Sequence, residues 1–222
     1  MDPHAQQAAR RQEFTAMALA AIAGFVDAYG IVRYGTYLSF MSGNTTQAGY
    51  HTGLGDFAVL PLLLTGIAGF LLGSFAGNYY GHPFGRLTRR LTLSLIAVAL
   101  AFALGHALIG LSPKLLSVAV LSFAMGAMNT SLPSVGKQAV NLTFVTGTLN
   151  RLGTHLALAA RGAPLSDSDG AWDTHARRAL WLAGIWAGFL LGAVLSGAVT
   201  ALAGPWALLA PIGALLLLAA LG

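Results

Sequence analysis

Apolar residues along this chain gather in six long runs: Phe14 to Ile31, Phe57 to Tyr79, Leu91 to Leu111, Leu115 to Leu132, Ala179 to Leu202 and Trp206 to Leu221. A helix crossing a hydrocarbon core needs about 20 apolar residues, with a workable range of roughly 17 to 25. Each run is therefore expected to be a membrane-spanning helix, the last being the shortest. Between the first and second runs lies SFMSGNTTQAGYH, residues 39 to 51, rich in hydroxyl, amide and glycine residues. Between the fourth and fifth lies TFVTGTLNRLGTH, residues 143 to 155, which aligns with it without a gap.

The repetition extends into the runs themselves. Ala-Gly-Phe-Leu-Leu-Gly occurs at 68 to 73 and again at 187 to 192, and Gly24 and Asp27 correspond to Gly126 and Asn129. Each half then reads as a helix, a polar segment and two more helices. Three crossings per half is an odd number, so the halves must enter the membrane from opposite sides, as in transporters built from inverted repeats. Shared small-residue packing is the competing account of glycine-rich matches. Several motifs recurring in the same order argue against it.

Composition agrees with the membrane reading. Only 9% of residues are charged and 56% are hydrophobic, and mean hydropathy is +0.70, which leaves a soluble domain little to present to water. The net charge of +5 points to membrane topology rather than nucleic acid, because Lys and Arg cluster at the ends of apolar runs. Arg10, Arg11, Arg86, Arg89, Arg90, Lys137, Arg161, Arg177 and Arg178 fall on one side, and Arg33 and Lys114 on the other, if the polar segments do not cross. Both termini are then cytoplasmic, and each polar segment re-enters and leaves on its own side. Arg10-Arg11 before an apolar run also fits a signal peptide. A discarded segment would not need to match the first helix of the second half. Cysteine is absent, which excludes disulfides and thiolate sites.

The motifs Gly24-Phe25-Val26-Asp27-Ala28, Phe40-Met41-Ser42-Gly43-Asn44-Thr45-Thr46, Ser122-Phe123-Ala124-Met125-Gly126 with Asn129, and Phe144-Val145-Thr146-Gly147-Thr148-Leu149 together resemble the YoaK-like small membrane proteins defined by the DUF1275 domain. Members commonly carry Thr where Ser42 stands, a change that keeps the hydroxyl. The resemblance implies a bacterial inner-membrane protein of about six helices and implies no substrate.

The fold expected is all-α and integral to the membrane: six transmembrane helices plus two re-entrant half-helix segments in a 3+3 inverted repeat. A cytoplasmic tail covers 1–13. The first repeat covers 14–111, with its re-entrant segment at 36–54. The second covers 115–222, with a re-entrant segment at 139–160 and a cytoplasmic loop at 161–178. Ser42 and Thr146 stand where N-caps are expected, and Gly43 and Gly147 allow close backbone approach. Two half-helix N-termini facing each other would offer N–H groups and hydroxyls to an anion or small polar solute. The binding set is Ser42, Gly43, Asn44, Thr45 and Thr46 with Thr146, Gly147, Thr148, Asn150 and Arg151.

Asp27 is the acid well inside a span, where a carboxylate is costly unless paired or hydrated. Arg33 or Arg151 could pair with it, or it could carry a proton during transport. Asn129 in the second half cannot titrate, which disfavours a symmetric two-proton scheme. His51 and His155 occupy matched positions and are candidates for gating or for interfacial hydrogen bonding. His82 and His175 are read as loop residues, and His106 as a packing residue with a local partner.

No His-Glu-x-x-His, Gly-x-Ser-x-Gly or Walker pattern is present. No catalytic residue, metal or cofactor is therefore assigned, and an intramembrane protease built on Ser42 and His106 is disfavoured because the serine motif occurs twice. The reading is a transporter of a small anionic or polar solute. A passive channel and a non-transporting scaffold or sensor stand as alternatives. Partners are a small solute or ion and the bilayer, and a homodimer would cover lipid-facing surface.

Overall fold

The computed structural model describes residues 3–81, 85–109, 114–132, 134–135, 138–139, 142–168 and 170–221. Eight α-helices follow one another among them: α1 Pro3–Tyr34, α2 Met41–Gly53, α3 Leu60–Gly81, α4 Gly85–Ile109, α5 Lys114–Thr130, α6 Val145–Ala160, α7 His175–Ala203 and α8 Leu209–Leu221. Two expectations need correction. The segment between α5 and α6 carries a small antiparallel hairpin, β1 Ser134–Val135 with β2 Gln138–Ala139. The last run opens on a 3-10 turn, Gly204–Leu208, before α8 begins. Gly204 takes φ +57°, a conformation that glycine adopts without cost, and it turns the chain between α7 and α8.

Four helical stretches are long and apolar enough to cross a membrane among the described residues: Gln6–Tyr34, Leu60–Tyr80, Thr92–Ile109 and His175–Leu221. The last is shared by α7 and α8, and the apolar Lys114–Thr130 is shorter. The chain is an all-helical membrane protein apart from the hairpin. Its core is built from α1, α4, α5 and α8, with Leu19, Tyr29, Ile96, Leu100, Leu121, Met125 and Leu215 fully buried. Exposed Leu71, Leu72, Leu190, Leu191 and Leu202 form the opposite, outward-facing population. An apolar exterior around an apolar core is what lipid as solvent allows.

Two closely packed helix pairs organise the bundle, α1 with α7 and α3 with α5. In each pair the backbones meet at glycines. A Cβ at Gly24 would strike the Phe189 carbonyl, and one at Gly192 the Ala21 carbonyl; Gly188 sits at 2.8 Å from the Met17 oxygen by the same construction. In the other pair, Gly126 meets the Phe70 carbonyl, Gly73 the Phe123 carbonyl and Gly69 the Ala119 oxygen at 2.8 Å. Under the alignment of Gly24 with Gly126 and of 68–73 with 187–192, these three contacts of one seam map onto the three of the other. From Met17–Gly188 to Ala21–Gly192, and from Ala119–Gly69 to Phe123–Gly73, the contacts advance in the same direction along both helices. Small residues permit this approach, and van der Waals packing between helices drives it in lipid.

Candidate functional site

The first polar segment is held at its deep end by Asp27. α1 runs seven residues beyond Asp27 to Tyr34, about 10 Å at 1.5 Å per residue, and the chain then doubles back along it. Gly30 leaves room for the return, since a Cβ there would lie 2.7 Å from the Thr36 oxygen. Asp27, 3% exposed, accepts from the Leu38 N–H at 2.8 Å and the Ser39 N–H at 2.6 Å on Oδ1, and from the Ser39 hydroxyl at 2.7 Å on Oδ2. A buried carboxylate is tolerable when donors replace its water. These donors are backbone amides and a hydroxyl, which corrects the expectation that Arg33 or Arg151 pairs with it. Both arginines are exposed.

Asn44 closes the same turn. It is fully buried; its Oδ1 accepts from the Thr36 hydroxyl at 3.0 Å and the Tyr37 N–H at 3.1 Å, and its Nδ2 donates to the Tyr37 carbonyl at 2.8 Å. An asparagine so engaged shapes the loop and offers little to a solute. The N-cap of α2 is Phe40, without a side-chain cap bond, so Ser42 sits one position inside the first turn rather than at its cap. Gly43 makes room for an aromatic ring, because a Cβ there would meet the Phe40 ring and lie 2.9 Å from that of Tyr37. Ser42, Thr45 and Thr46 are exposed, with the Thr45 hydroxyl donating to the Met41 carbonyl at 2.8 Å.

The second segment repeats part of this design. Asn129 Oδ1 accepts from the Leu142 N–H at 2.9 Å, the counterpart of the Leu38 bond to Asp27. Phe144 is the N-cap of α6, which places Thr146 inside the helix as well, and the Phe144 ring occupies the space over Gly147. Thr148 is buried and returns its hydroxyl to the Phe144 carbonyl at 3.2 Å. Thr146, Asn150 and Arg151 are exposed.

The structure does not bring the two sets together. α2 packs on α3 and α6 packs on α7, and among the described residues α2 and α6 make no contact with each other. The two segments start from different helices, one from α1 and the other from α5.

The histidines also part company. His51 Nδ1 lies 2.9 Å from Asp56 Oδ2 in a partly exposed pair. His155 is buried and its Nδ1 lies 2.8 Å from His175 Nδ1. His175 is thus no loop residue: it is the first residue of α7 and is buried. The expected loop at 161–178 accordingly ends before it. Below the pair, Arg178 bonds Asp173 through Nε at 2.9 Å and Nη2 at 2.7 Å, and Asp167 through Nη1 at 2.8 Å. The bond to Arg178 holds the Asp167 carboxyl below its ordinary range. Burial first, then the nearby His175 and Arg178, hold the His155 imidazole below its ordinary value. A cavity of about 380 Å³ opens beside His175, lined also by Ala159, Gly162, Ser168, Asp173 and Thr174.

Arg177 forms an ion pair with Glu13 at 2.9 Å, tying α7 to α1. His106 Nδ1 stands 3.3 Å from the Ser117 hydroxyl, a local partner as expected. His82 and Lys137 lie outside the described residues. Among the described residues there is no group of three or more potential metal ligands. Sequence reasoning missed Thr36, Tyr37, Ser39, Asp173 and His175. Ser39 heads the polar stretch and carried a signal; the others act through a chain reversal or across 20 residues of sequence.

Comparison with known proteins places the chain. The family model described as "Protein of unknown function (DUF1275)" matches residues 15–221. A UPF0700 transmembrane protein, RA0705 of Rhizobium meliloti (strain 1021), is 35% identical over 217 residues, covering 95% of this chain and 88% of that protein. No solved structure matches.

Proposed function

We propose a function for this chain, which belongs to the DUF1275 family, from its own geometry: it moves a small anionic or polar solute across the bacterial inner membrane. The observation that carries this reading is the pair of matched glycine seams. Each seam joins the first long helix of one half to the second long helix of the other, at equivalent positions. Two inverted repeats related by a pseudo-two-fold axis in the membrane plane account for that exchange, and alternating access in such folds comes from one body rocking against another. In this reading the segments beginning at 36 and 142 are re-entrant, both termini are cytoplasmic, and the solute meets polar residues on two separate faces. Ser42, Thr45 and Thr46 supply one. Thr146, Asn150 and Arg151 supply the other, and the guanidinium favours an anion.

Reconstitution in liposomes with a panel of small anions and neutral solutes tests the proposal, with Arg151→Gln expected to lower anion flux. Absence of flux for every solute with folded protein would overturn it. Proton coupling through Asp27 belongs to the same reading and is tested apart, by flux against external pH in wild type and Asp27→Asn. Topology has its own check: single cysteines at Thr46 and Asn150 should label from opposite sides, and labelling from the same side would sink the inverted arrangement.

A second reading, a non-transporting scaffold, is favoured by one observation. Asp27 and Asn44 direct their polar atoms at the chain reversal between α1 and α2, as residues with a purely structural task do.

A further inference from the structure

The contact between His155 and His175 has a property that neither residue has alone. Two Nδ1 atoms 2.8 Å apart can share one proton between them: one nitrogen donates and the other must offer its lone pair. A neutral pair meets this condition, and so does a pair carrying one added proton on an outer nitrogen. Two added protons do not, because each Nδ1 then carries hydrogen and the two N–H groups point at one another.

The pair joins two elements, with His155 in the last turns of α6 and His175 at the start of α7, which is the helix that α6 packs on. Charged groups around it come from every side. On α7, Arg178 stands close by but is engaged by Asp173 and Asp167 from the preceding loop, and Arg177 is engaged by Glu13 of α1. On α6 itself, Arg151 lies one turn before His155, and Arg161 caps the helix. The carboxylates of Asp167 and Asp173 favour a charged His155, but burial and the neighbouring His175 and Arg178 outweigh them.

We infer that this histidine pair is a proton-operated latch, which holds the C-terminal end of α6 on α7 at neutral pH and releases it when the second imidazole is protonated. What the latch controls rests on the transport reading, since α6 carries Thr146, Asn150 and Arg151; the latch itself does not depend on it. The sign follows from the lowered affinity of His155 for protons in the folded chain. Such a group contributes stability that is fully present above the ordinary histidine value of about 6.5 and declines as pH falls below it. Acidification on the side where this end of α6 lies is the trigger.

Spin labels on cysteines at Ala159 and Ala176, one on each helix and both lining the cavity beside His175, report the latch in a chain with no native cysteine. The full chain in nanodiscs should give a narrow short-distance distribution at pH 8 that lengthens and broadens on acidification, with a midpoint below about 6.5. The double variant His155→Gln, His175→Gln should show one distribution at both pH values. A wild-type distribution unchanged between pH 8 and pH 5 would overturn the latch, as would a double variant that responds as the wild type does. Should the variant not fold, nitrogen-15 spectra of histidine-labelled wild type decide: one bridging Nδ1 proton, lost below the midpoint, supports the latch, and two independently titrating imidazoles refute it. None of these readouts uses flux, so the latch and the transport reading fail separately.

Discussion

The two polar segments share a sequence pattern but are fastened by different groups. The first is secured where it begins: Asp27 holds Leu38 and Ser39, and Asn44 ties Thr36 and Tyr37, while its far end carries only a partly exposed His51–Asp56 pair. The second has an amide, Asn129, holding Leu142 where it begins, and its far end meets a buried cluster of His155, His175, Asp173 and Arg178. The shared pattern therefore goes with a similar backbone course in both segments, while the side chains that hold them differ: a carboxylate at the start of one, an amide there and a buried ionic cluster at the far end of the other.

The sharpest way to break this contrast is at the deep anchors. Asp27→Leu strands three donors, Leu38 N–H, Ser39 N–H and the Ser39 hydroxyl, at about 1–3 kcal/mol for each buried group left without a partner. Asn129→Leu strands the Leu142 N–H among its partners and removes a neutral amide, whose bonds are weaker than those of a carboxylate. Thermal unfolding in detergent should show the larger fall for Asp27→Leu; equal falls would mean that the charge on Asp27 adds nothing to the hold. At the other end, Arg178→Gln removes the partner of Asp173 in a buried pair, a loss of roughly 3–5 kcal/mol. Limited proteolysis of the loop at 161–174 should accelerate with it.

Gly73→Ala and Gly192→Ala ask whether the two seams are equivalent. Each adds a methyl group against a carbonyl, of Phe123 or Ala21, and overpacking of this kind costs about 1–3 kcal/mol. Similar shifts in the unfolding midpoint are expected for both, and Gly49→Ala, with open space around it, should be neutral or slightly stabilising. A shift in only one seam would break the symmetry. Asp56→Asn should have the smallest effect, about 0–1 kcal/mol, because its ion pair with His51 is partly exposed.

Much of this was legible in the residues. Each expected apolar run contains a helix, although four stretches among the described residues meet the length and hydropathy for crossing. Ala-Gly-Phe-Leu-Leu-Gly reads as a sign of repetition, with small-residue packing as its rival; its glycines do lie at helix contacts, because approach to a carbonyl needs residues without side chains. Asp27 stood out because charge inside a span is costly. Its partners were harder to see, since the chain reversal at residues 35–39 has no periodic signature and two of the three donors are backbone groups that every sequence has. Ser42 and Thr146 resembled caps in type, but the aromatic ring of Phe40 or Phe144 folds over the glycine that follows, and that residue takes the N-cap position. The His155 contact joins residues 20 apart across a loop, where spacing says nothing about approach.

One consequence of the tethering lies in mechanics. The α1–α7 seam and the α3–α5 seam each lock one helix from either half into a unit. α2 starts from a carboxylate on α1 but lies on α3, and α6 starts from an amide on α5 but lies on α7. Each segment thus crosses from one unit to the other, and they cross in opposite senses, like a pair of straps laced between two boards. Neither board can slide without pulling both straps at once, so the two polar segments are geared together although α2 and α6 make no contact among the described residues.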